Sequence, residues 1–427
     1  MDEFIKLAKS LGADGSEFFF TSMRTFSFDA RGKEIYSKQE DNESGWGVRI
    51  LKNKRIGFSF FSRKEDAKRA IESAITSSKY AIQSNFSFPE KSTYKKVDCF
   101  DKKVSELGAK EGAELMNEML ASASQKGFEP SDSSLAISTS RAEIANSSGL
   151  SASEDYSSIS CATQCHKGET IGHDDFAGIH YSSDFARKVG ESASSVGSEM
   201  LGAKMIDKGE YPVILDERAV HSFIGEILMP SFDGELIRRG ASFLAGKKGA
   251  KIASNDFTLT DDPSAPAFSC SSFDGEGIPS RKKILLENGT VKNFLFDTFN
   301  ASISNATDSV GNSSRGGYAS PPGISESNLI ISPGKTKDAI AECKNGIYIR
   351  SFFGEHTADT TTGNFSVSID IGWLIRDGEK SIPLKKAMFG DNIFELLKCV
   401  SAESKQHTYI DFISPKLLFE KASISAE

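Results

Sequence analysis

The sequence predicts an α+β protein built from two units. The first is expected to be an N-terminal two-layer α/β domain with an antiparallel sheet and long helices, and the second a C-terminal β-rich, barrel-like domain. The evidence is Phe- and Thr-rich alternation over residues 17–28, a buried stripe at helical spacing over 67–75, and short β-type runs after Tyr211. Because 427 residues exceed what one core usually serves, we expect domains at 1–205 and 206–427.

The N-terminal elements follow from changes in periodicity. Phe4, Leu7 and Leu11 recur at helical spacing, which predicts a short opening helix, and an aromatic strand meander follows it. A helix over 67–75 should lie across the aromatic face of that meander. No internal repeat is apparent in the residues. The remaining elements predicted in this unit are helices at 104–125 and 185–200 and strands at 134–145, 157–166 and 177–182.

The clearest local motif in the second half is a β-hairpin. Residues 283–287 and 291–296 are β-type runs joined by Asn288-Gly289, the dipeptide that best supplies the two positive-φ positions of a type I′ turn. The preceding loop, Asp274-Gly275-Glu276-Gly277-Ile278-Pro279, combines two glycines that free the backbone with two carboxylates. A plain acidic turn and a shaped functional loop are both open interpretations of it.

A Ser-, Asn- and Gly-rich segment interrupts the C-terminal half at residues 300–323 and ends in Pro321-Pro322-Gly323. This composition predicts a long mobile loop, of the kind that is either functional or disordered. The strongest strands after it are predicted at 330–332, 346–352 and 365–375.

Charge and composition narrow the possible partners. The formal net charge is −8 and the Lys and Arg residues are interspersed with acidic ones, which disfavours a nucleic-acid or anionic-membrane binder. No apolar run approaches the ~20 residues of a spanning helix, and the start Met1-Asp2-Glu3 lacks the pattern of a secretory signal. The six cysteines are scattered, so we expect reduced thiols and a cytoplasmic location.

Two short segments contain side chains that could carry chemistry. Cys161, Cys165 and His166 place soft ligands close together, but they lack the two-residue spacing of specific zinc motifs, so we interpret them as structural. His356 lies in a polar loop with Glu355 and Asp359, which suits acid/base work, although exposed loop histidines are commonly only solvated. No phosphate loop, serine-nucleophile elbow or dinucleotide fingerprint appears, so pattern alone leaves the function undecided.

The hairpin and its lead-in carry a resemblance to a known family. Residues 274–279, 285–289 and 292–297 resemble the central signature of the TldD/TldE (PmbA) metalloprotease family, once called modulators of DNA gyrase. Other stretches resemble family blocks in the same order, so the resemblance covers nearly the whole chain. They are Asn146-Ser147-Ser148-Gly149, Arg238-Arg239-Gly240-Ala241-Ser242-Phe243, Pro333-Gly334, Gly346-Ile347-Tyr348, Thr362-Gly363-Asn364-Phe365-Ser366, Gly390-Asp391-Asn392 and Ser414-Pro415-Lys416-Leu417-Leu418.

The resemblance implies TldD–TldE heterodimers in which TldD holds zinc and cleaves unfolded or short peptides. In TldD, the motif HExxxH before the Arg-Arg-Gly block supplies two histidine ligands and a glutamate base, and a late cysteine is the third ligand. The corresponding segment here is Gly225-Glu226-Ile227-Leu228-Met229-Pro230, so Glu226 matches the base but Gly225 and Pro230 cannot bind a metal. Cys399 lies near the region of the third ligand. We therefore expect no metal or cofactor in this chain and zinc in a TldD-type partner.

The resemblance thus implies a non-catalytic, TldE/PmbA-type subunit of a peptidase complex, in which Glu226 is a remnant of the catalytic motif. The expected partners are peptide substrates and a TldD-like subunit in a heterodimer, or a second copy in a homodimer. An added peptide strand is expected along residues 363–371. The alternative is a stand-alone hydrolase or a peptide-binding protein that uses the region of Glu226 and His356. The tentative substrate-binding residues are Asp274, Glu276, His356, Gly363 and Phe365.

Overall fold

The N-terminal unit is a six-stranded antiparallel sheet with helices on one face. The computed structural model describes residues 1–306 and 310–426. The strands of this unit are β1 (Gly15–Arg31), β2 (Glu34–Lys52), β3 (Arg55–Phe61), β4 (Glu129–Asn146), β5 (Ser151–Lys167) and β6 (Thr170–Gly178), and its helices are α1 (Asp2–Ser10), α2 (Ala67–Ser78), α3 (Lys102–Glu106), α4 (Ala109–Ala123) and α5 (Phe185–Glu199). The strand order is β3-β2-β1-β4-β5-β6.

This strand order contains a topological repeat that the residues do not reveal. Each half begins with a helix, continues through three antiparallel strands and ends with a helix, as α1-β1-β2-β3-α2 and then α4-β4-β5-β6-α5. The first strands of the two halves, β1 and β4, pair with each other at the centre of the sheet. The strands β3 and β6 therefore form its two outer edges.

Each half of the sheet has its own hydrophobic core beneath its helices. In the first half, α1 and α2 cover the buried side chains of Phe18 and Val48. In the second half, α4 and α5 cover Ile137 and Ile159. Alternate residues along each strand point toward the helices, so the predicted two-layer arrangement is confirmed.

The C-terminal unit is built on a closed barrel of five strands. In ring order these are β7 (Gly209–Leu215), β14 (Gly346–Phe353), β15 (Asn364–Arg376), β17 (Ala387–Asn392) and β19 (Phe412–Ala426). The ring closes because β19 pairs with β7 as well as with β17. The predicted barrel-like character of this unit is therefore confirmed.

The remaining elements of the C-terminal unit extend or cover this barrel. The additional strands are β8 (Leu259–Asp261), β9 (Lys283–Glu287), β10 (Thr290–Val291), β11 (Ser313–Ser314), β12 (Gly323–Ile324), β13 (Leu329–Ile331), β16 (Glu379–Pro383) and β18 (Val400–Tyr409). The helices are α6 (Glu217–Ser222), α7 (Gly234–Arg239), α8 (Thr298–Ser304), α9 (Ala339–Cys343) and α10 (Ile393–Lys398). None of the helices within 1–306 and 310–426 combines the length and the apolar character that a membrane crossing needs.

The predicted hairpin is confirmed at its turn and shorter in its second strand. Asn288 and Gly289 have φ values of 47° and 73°, as a type I′ turn requires. The second strand, β10, covers only Thr290–Val291. The strand expected at 177–182 is also displaced, because β6 ends at Gly178.

The segment 300–323 is not a single mobile loop. Its start belongs to α8, and β11 pairs with β12 near its end. Gly45 and Gly47 on β2 leave room for Tyr318, because an added Cβ would lie 2.4 Å from the Tyr318 ring at Gly45 and 2.6 Å from the Tyr318 carbonyl oxygen at Gly47. The expectation of a long mobile loop is therefore wrong for this packed part, and residues 307–309 lie outside the described residues.

The strand that was expected to offer an edge for peptide is paired on both sides only where its two pairings overlap, at residues 368 and 369. β15 pairs with β17 over residues 364–369 and with β14 over residues 368–375. Phe365 and Val367 point into the core and are at most 6% exposed. Residues 364–367 pair with β17 alone and residue 371 with β14 alone, so the added peptide strand along residues 363–371 stays a prediction.

Two glycines let helices lie directly against the edge strands of the N-terminal sheet. A Cβ added at Gly57 in β3 would lie 1.8 Å from the carbonyl oxygen of Ala74 in α2. A Cβ added at Gly172 in β6 would lie 2.2 Å from the carbonyl oxygen of Ala193 in α5. Each half of the repeat therefore has a glycine in its last strand, at the point where the following helix packs against that strand.

Gly57→Ala should lower the free energy of unfolding by about 2–3 kcal/mol, because α2 must move away from β3 to accept the methyl group. Urea denaturation measures this loss. Gly323→Ala is the matched control, since nothing lies within 4 Å of its added Cβ, and it should change stability by less than about 0.5 kcal/mol. Equal effects of the two substitutions would contradict the close helix–strand approach.

Candidate functional site

The segment that aligns with the TldD motif lies in an irregular helix. α6 continues as a π-helical segment, Phe223–Leu228, and then as a 3₁₀ turn, Met229–Phe232. Pro230 lies in the 3₁₀ turn, where its missing amide hydrogen prevents a regular α-helical ladder. The backbone hydrogen bonding therefore changes from π-helical at position 225 to 3₁₀ at position 230.

This irregular helix buries one face and leaves Glu226 exposed. Phe223, Ile224, Ile227 and Leu228 are at most 2% exposed and belong to the core of the barrel unit. Glu226 points away from that core and is exposed. Apolar packing therefore holds the helix in place without any contribution from the Glu226 carboxylate.

A polar cavity of about 370 Å³ lies between the N-terminal sheet and the C-terminal unit. One wall comes from β1, β4 and β5, and the others come from residues within 263–280 and 311–327. Serine side chains dominate the lining, and its acidic residues are Asp274 and Glu326. Such a cavity offers hydroxyl groups and two ionisable carboxyls to a polar ligand.

Glu326 is one of two cavity carboxyls whose pKa is raised to near neutral pH, and Asp274 is the other. Burial raises the pKa of Glu326 to about 7, and the carboxylates of Asp261, Asp411 and Glu226 add to this rise. A carboxyl that titrates near neutral pH can hold or release a proton there. Because Glu226 contributes to the shift, the exposed motif residue lies within electrostatic reach of the cavity.

Asp274 organises the loop that forms one side of the cavity. Its Oδ1 accepts hydrogen bonds from the amides of Glu276 and Ile278, both at 2.9 Å, and its Oδ2 accepts one from the amide of Ser313 at 3.0 Å. Burial and the nearby Glu276 raise the pKa of Asp274 to about 7. Asp274 therefore combines a structural position with access to the cavity, and its predicted role in substrate binding stays a prediction.

Glu276 belongs to a buried ionic network and not to the cavity surface. Its Oε1 accepts from Arg49 Nη1 at 2.6 Å, and its Oε2 accepts from the amide of Thr298 at 2.7 Å. Arg49 also donates to both carboxylate oxygens of Glu17, at 2.8 and 2.6 Å, and Arg315 forms an ion pair with Glu17. The four charged side chains are at most 3% exposed. The carboxylate of Glu276 is thus engaged in holding the two units together.

The other tentative binding residues lie apart from this cavity. Gly363 has a φ of +83°, and a Cβ there would lie 2.5 Å from the Phe394 ring, so its role is conformational. Phe365 packs against Phe223 and Phe389, with ring centroids 5.4 and 4.9 Å away. His356 is exposed in the 3₁₀ turn Glu355–Thr357, which packs beside the π-helical segment. Of these three residues, His356 alone is placed on the surface.

A second polar group lies close to the cavity and contains residues that the sequence did not single out for chemistry. His221 Nε2 lies 3.1 Å from Asp411 Oδ1, and Ser269 Oγ donates to Asp411 Oδ2 at 3.0 Å. The carboxylate lies between the hydroxyl and the imidazole, whereas a nucleophilic triad needs the imidazole between them. Only the fold brings these residues together, since they are widely separated in the chain.

The cysteine–histidine segment of β5 is divided between two faces of the sheet. Cys161 and Cys165 are buried beneath the helices, and burial raises their pKa values to about 12 and about 11. His166 is exposed. Because successive residues of a strand point to opposite faces, the three side chains do not converge, in agreement with the structural interpretation.

Family models match both units of the chain. Residues 208–426 match the model of the PmbA/TldA metallopeptidase C-terminal domain, and residues 16–78 match that of PmbA/TldA metallopeptidase domain 1. This chain belongs to the PmbA/TldA metallopeptidase family. The family resemblance drawn from the hairpin region is therefore confirmed.

Full-length relatives agree with this assignment. An uncharacterized protein of Methanocaldococcus jannaschii is 29% identical over 426 residues, which is 98% of each chain. A protein named metalloprotease in Methanothermobacter thermautotrophicus is 26% identical and covers 88% of this chain and 85% of its own length. The crystal structure of TldE from Thermococcus kodakarensis superposes with a TM-score of 0.91 at 25% identity over 100% of both chains.

The residues present in this PmbA/TldA-family chain do not fit the zinc site that the resemblance to TldD implies. Gly225 has no side chain and Pro230 has no donor atom for a metal, and Cys399 is exposed at the end of α10. His221, one turn before the motif, is engaged by Asp411. Over residues 1–306 and 310–426, no group of three or more His, Cys, Asp or Glu side chains is placed to hold a metal.

Arg49→Met should lower the free energy of unfolding of this family member by about 3–5 kcal/mol, because it leaves the buried Glu276 carboxylate without its guanidinium partner. The matched control is Arg24→Met, whose pair with Glu40 has side chains 48% and 45% exposed. That substitution should cost less than about 1 kcal/mol. Urea denaturation measures the free energy of unfolding of both variants. Equal losses in the two variants would contradict the importance of the network.

Glu326→Gln should raise stability at alkaline pH relative to acidic pH. The folded pKa of about 7 exceeds the ~4.3 of an unfolded glutamate, so the stabilisation by the bound proton is complete below the unfolded pKa and is lost as the pH rises through 7. The Glu326→Gln variant has no carboxyl group at this position, so its free energy of unfolding does not fall with pH for this reason. Its stability relative to the parent chain should therefore increase by about 1–2 kcal/mol between about pH 5.5 and about pH 8.5.

Urea denaturation at the two pH values measures this difference, and Glu420→Gln, at an exposed glutamate, is the matched control. An increase of the same size in the control, or a constant difference for Glu326→Gln, would contradict protonation of the cavity carboxyl near neutral pH.

Proposed function

We propose that this chain is the non-catalytic, TldE/PmbA-type subunit of a cytoplasmic two-chain peptidase that cleaves unfolded or short peptides. In this assembly a TldD-type partner carries the intact HExxxH motif, binds the zinc and performs the hydrolysis. This chain completes and stabilises the complex, and a homodimer is the alternative assembly. Asp274, which lines the cavity, and the exposed His356 are its candidate contacts with peptide.

One observation carries this proposal. The two positions that supply imidazole ligands in the motif are Gly225 and Pro230 here, and neither residue has a metal donor. Catalytic zinc sites normally use three protein ligands and leave one position for water. Without the metal, an exposed Glu226 lacks the polarised water that zinc-dependent peptide hydrolysis uses.

The likeness to known proteins supports the same role. The Thermococcus kodakarensis chain that superposes over the full length is a TldE, and the Methanothermobacter thermautotrophicus relative is named a metalloprotease. A subunit that keeps the whole family fold while lacking the ligand side chains is suited to assembly and substrate handling. This chain and the Thermococcus kodakarensis TldE cover each other over 100% of their lengths, which suits an assembly of two chains with the same architecture.

A metal-independent hydrolase is the second candidate. The turn that carries His356 packs beside the helix that carries Glu226, so an imidazole and a carboxylate belong to neighbouring elements. Such a pair could act in acid/base catalysis without zinc. This candidate predicts activity of the lone chain that chelators do not remove and that His356→Gln abolishes.

Metal analysis and peptidase assays on the lone chain separate these candidates. The proposed role predicts less than about 0.1 zinc per chain and no peptide cleavage, because the ligand set is incomplete. Addition of a TldD-type subunit should produce a stable complex in sedimentation and chelator-sensitive cleavage. One tightly bound zinc per lone chain, or indifference to every TldD-type partner, would overturn the proposal.

Within the complex, Glu226→Gln in this chain should leave cleavage within about twofold of the parent complex, as expected for an exposed residue outside the reaction. The matched control is the same Glu→Gln change in the HExxxH motif of the partner, which should abolish cleavage. A large loss from Glu226→Gln at unchanged complex stability would show that this chain contributes a catalytic group.

A further inference from the structure

Two cysteines come together at the junction of the two units. The Sγ atoms of Cys99 and Cys270 are 2.6 Å apart although the residues are separated by 171 positions. Both residues are free and buried. Cys99 lies on the segment that joins α2 to α3, and Cys270 lies on the segment that joins β8 to β9.

Hydrogen bonds to one strand hold both cysteine-bearing segments in place. The amide of Ser157 in β5 donates to the carbonyl of Cys99 at 3.1 Å, and the amide of Ser272 donates to Glu154 of the same strand at 2.8 Å. The amide of Val97 donates to Ser272 Oγ at 3.1 Å and so links the two segments directly. The two thiols are thus held together by fixed backbone contacts.

The remaining cysteines lie in other environments. Cys161 and Cys165 belong to cores beneath the N-terminal helices, and Cys343 and Cys399 are partly or fully exposed in the C-terminal unit. Cys99 and Cys270 share one apolar cluster. Of the six cysteines in the chain, these two are therefore placed for selective reaction with each other.

The polar cavity gives a small reagent access to this pair. Cys270 lines the cavity, whereas Cys99 lines a neighbouring depression of about 430 Å³. The contact with Cys270 and burial both raise the pKa of Cys99, so its thiol keeps its proton at neutral pH. Because Cys270 lines the cavity and Cys99 does not, Cys270 is the thiol that a reagent in the cavity meets first.

We infer that Cys99 and Cys270 are a modification site that forms an intramolecular disulfide when a hydroperoxide enters the cavity. The Cys270 sulfur attacks one peroxide oxygen, becomes a sulfenic acid and releases one water when the oxidant is hydrogen peroxide. The Cys99 sulfur then attacks the Cys270 sulfur. The S–S bond forms, and the sulfenic hydroxyl leaves with the Cys99 proton as a second water. Two thiols are oxidised and one peroxide is reduced.

The disulfide ties the connecting segment of the N-terminal unit to the C-terminal unit at the cavity wall. It joins residues that are 171 positions apart, and a long closed loop restricts the unfolded chain most. The oxidised chain should therefore melt about 5 °C above the reduced chain. A dithiol reductant returns the reduced state by thiol–disulfide exchange. Its first thiolate attacks one sulfur of the S–S bond and the other cysteine leaves as a thiolate. Its second thiol then releases the remaining cysteine and closes the reductant's own disulfide.

Hydrogen peroxide treatment of the full-length chain tests this site. A Cys399→Ser background removes the exposed thiol that could join two molecules. Of the five thiols left in that background, two should become resistant to alkylation after unfolding, and peptide mapping by mass spectrometry should find Cys99 joined to Cys270. Cys270→Ser should remove both the cross-link and the shift in melting temperature, and Cys343→Ser should keep both.

The peptide mapping is done on a chain in which Cys99 and Cys270 are both present. It therefore tests the disulfide even if Cys270→Ser folds poorly. Five alkylatable thiols after peroxide treatment, a disulfide between any other two cysteines, or an oxidation product confined to sulfinic or sulfonic acid would overturn the inference. Retention of the melting-temperature shift in folded Cys270→Ser would also overturn it.

Discussion

Four charged side chains, Glu17, Arg49, Glu276 and Arg315, meet out of contact with water at the junction between the N-terminal sheet and the C-terminal unit. Two come from neighbouring strands of the sheet and two from loops of the other unit. Burying such charges is costly unless each has a well-placed partner. The ion pairs of this network form only when both units and both loops are assembled, which makes their relative position a condition of stability.

The cavity follows from the same constraint. The loop that supplies Glu276 also contains Asp274, whose carboxylate accepts three backbone hydrogen bonds, and Arg315 donates to the carbonyl of Gly275 at 2.7 Å. Fixing Glu276 beneath Arg49 thus places Asp274 on the cavity side of the loop. The opposite wall is left to serines and Glu326, so a dry ionic junction and a polar cavity lie side by side.

Local signals in the sequence were sufficient for the fold class and for the hairpin at Asn288-Gly289, because periodicity and turn chemistry act over a few residues. They could not predict the pairing of β19 with β7 that closes the barrel, since it joins residues about 200 positions apart. The same limit applies to the strand at 364–376. Alternation identified the strand, but only the fold shows that β17 pairs with residues 364–369 and β14 with residues 368–375.

Candidate site residues were predictable only where a family motif marked them. Gly225, Glu226 and Pro230 could be located by register, whereas Glu326 and Asp411 had no local signal because their properties arise from neighbours distant in the chain. Glu276 is among the tentative substrate-binding residues predicted from the acidic loop, and its complete burial depends on Arg49, which lies 227 residues away. Charge patterns along a chain do not reveal such pairs.

The fold also explains how a metal motif can be lost without loss of the family architecture. The helix at 223–228 is held by Phe223, Ile224, Ile227 and Leu228, which point into the barrel core, while Glu226 faces outward and Gly225 has room for a larger side chain, with Phe412 3.5 Å from its Cβ position. Glu226 thus lies on the exposed face of the helix, whereas position 225 borders Phe412 of the same core. Because apolar packing holds the helix and Glu226 takes no part in it, a change of this exposed side chain costs the fold little, and a fold by itself does not determine which chain of a pair is catalytic.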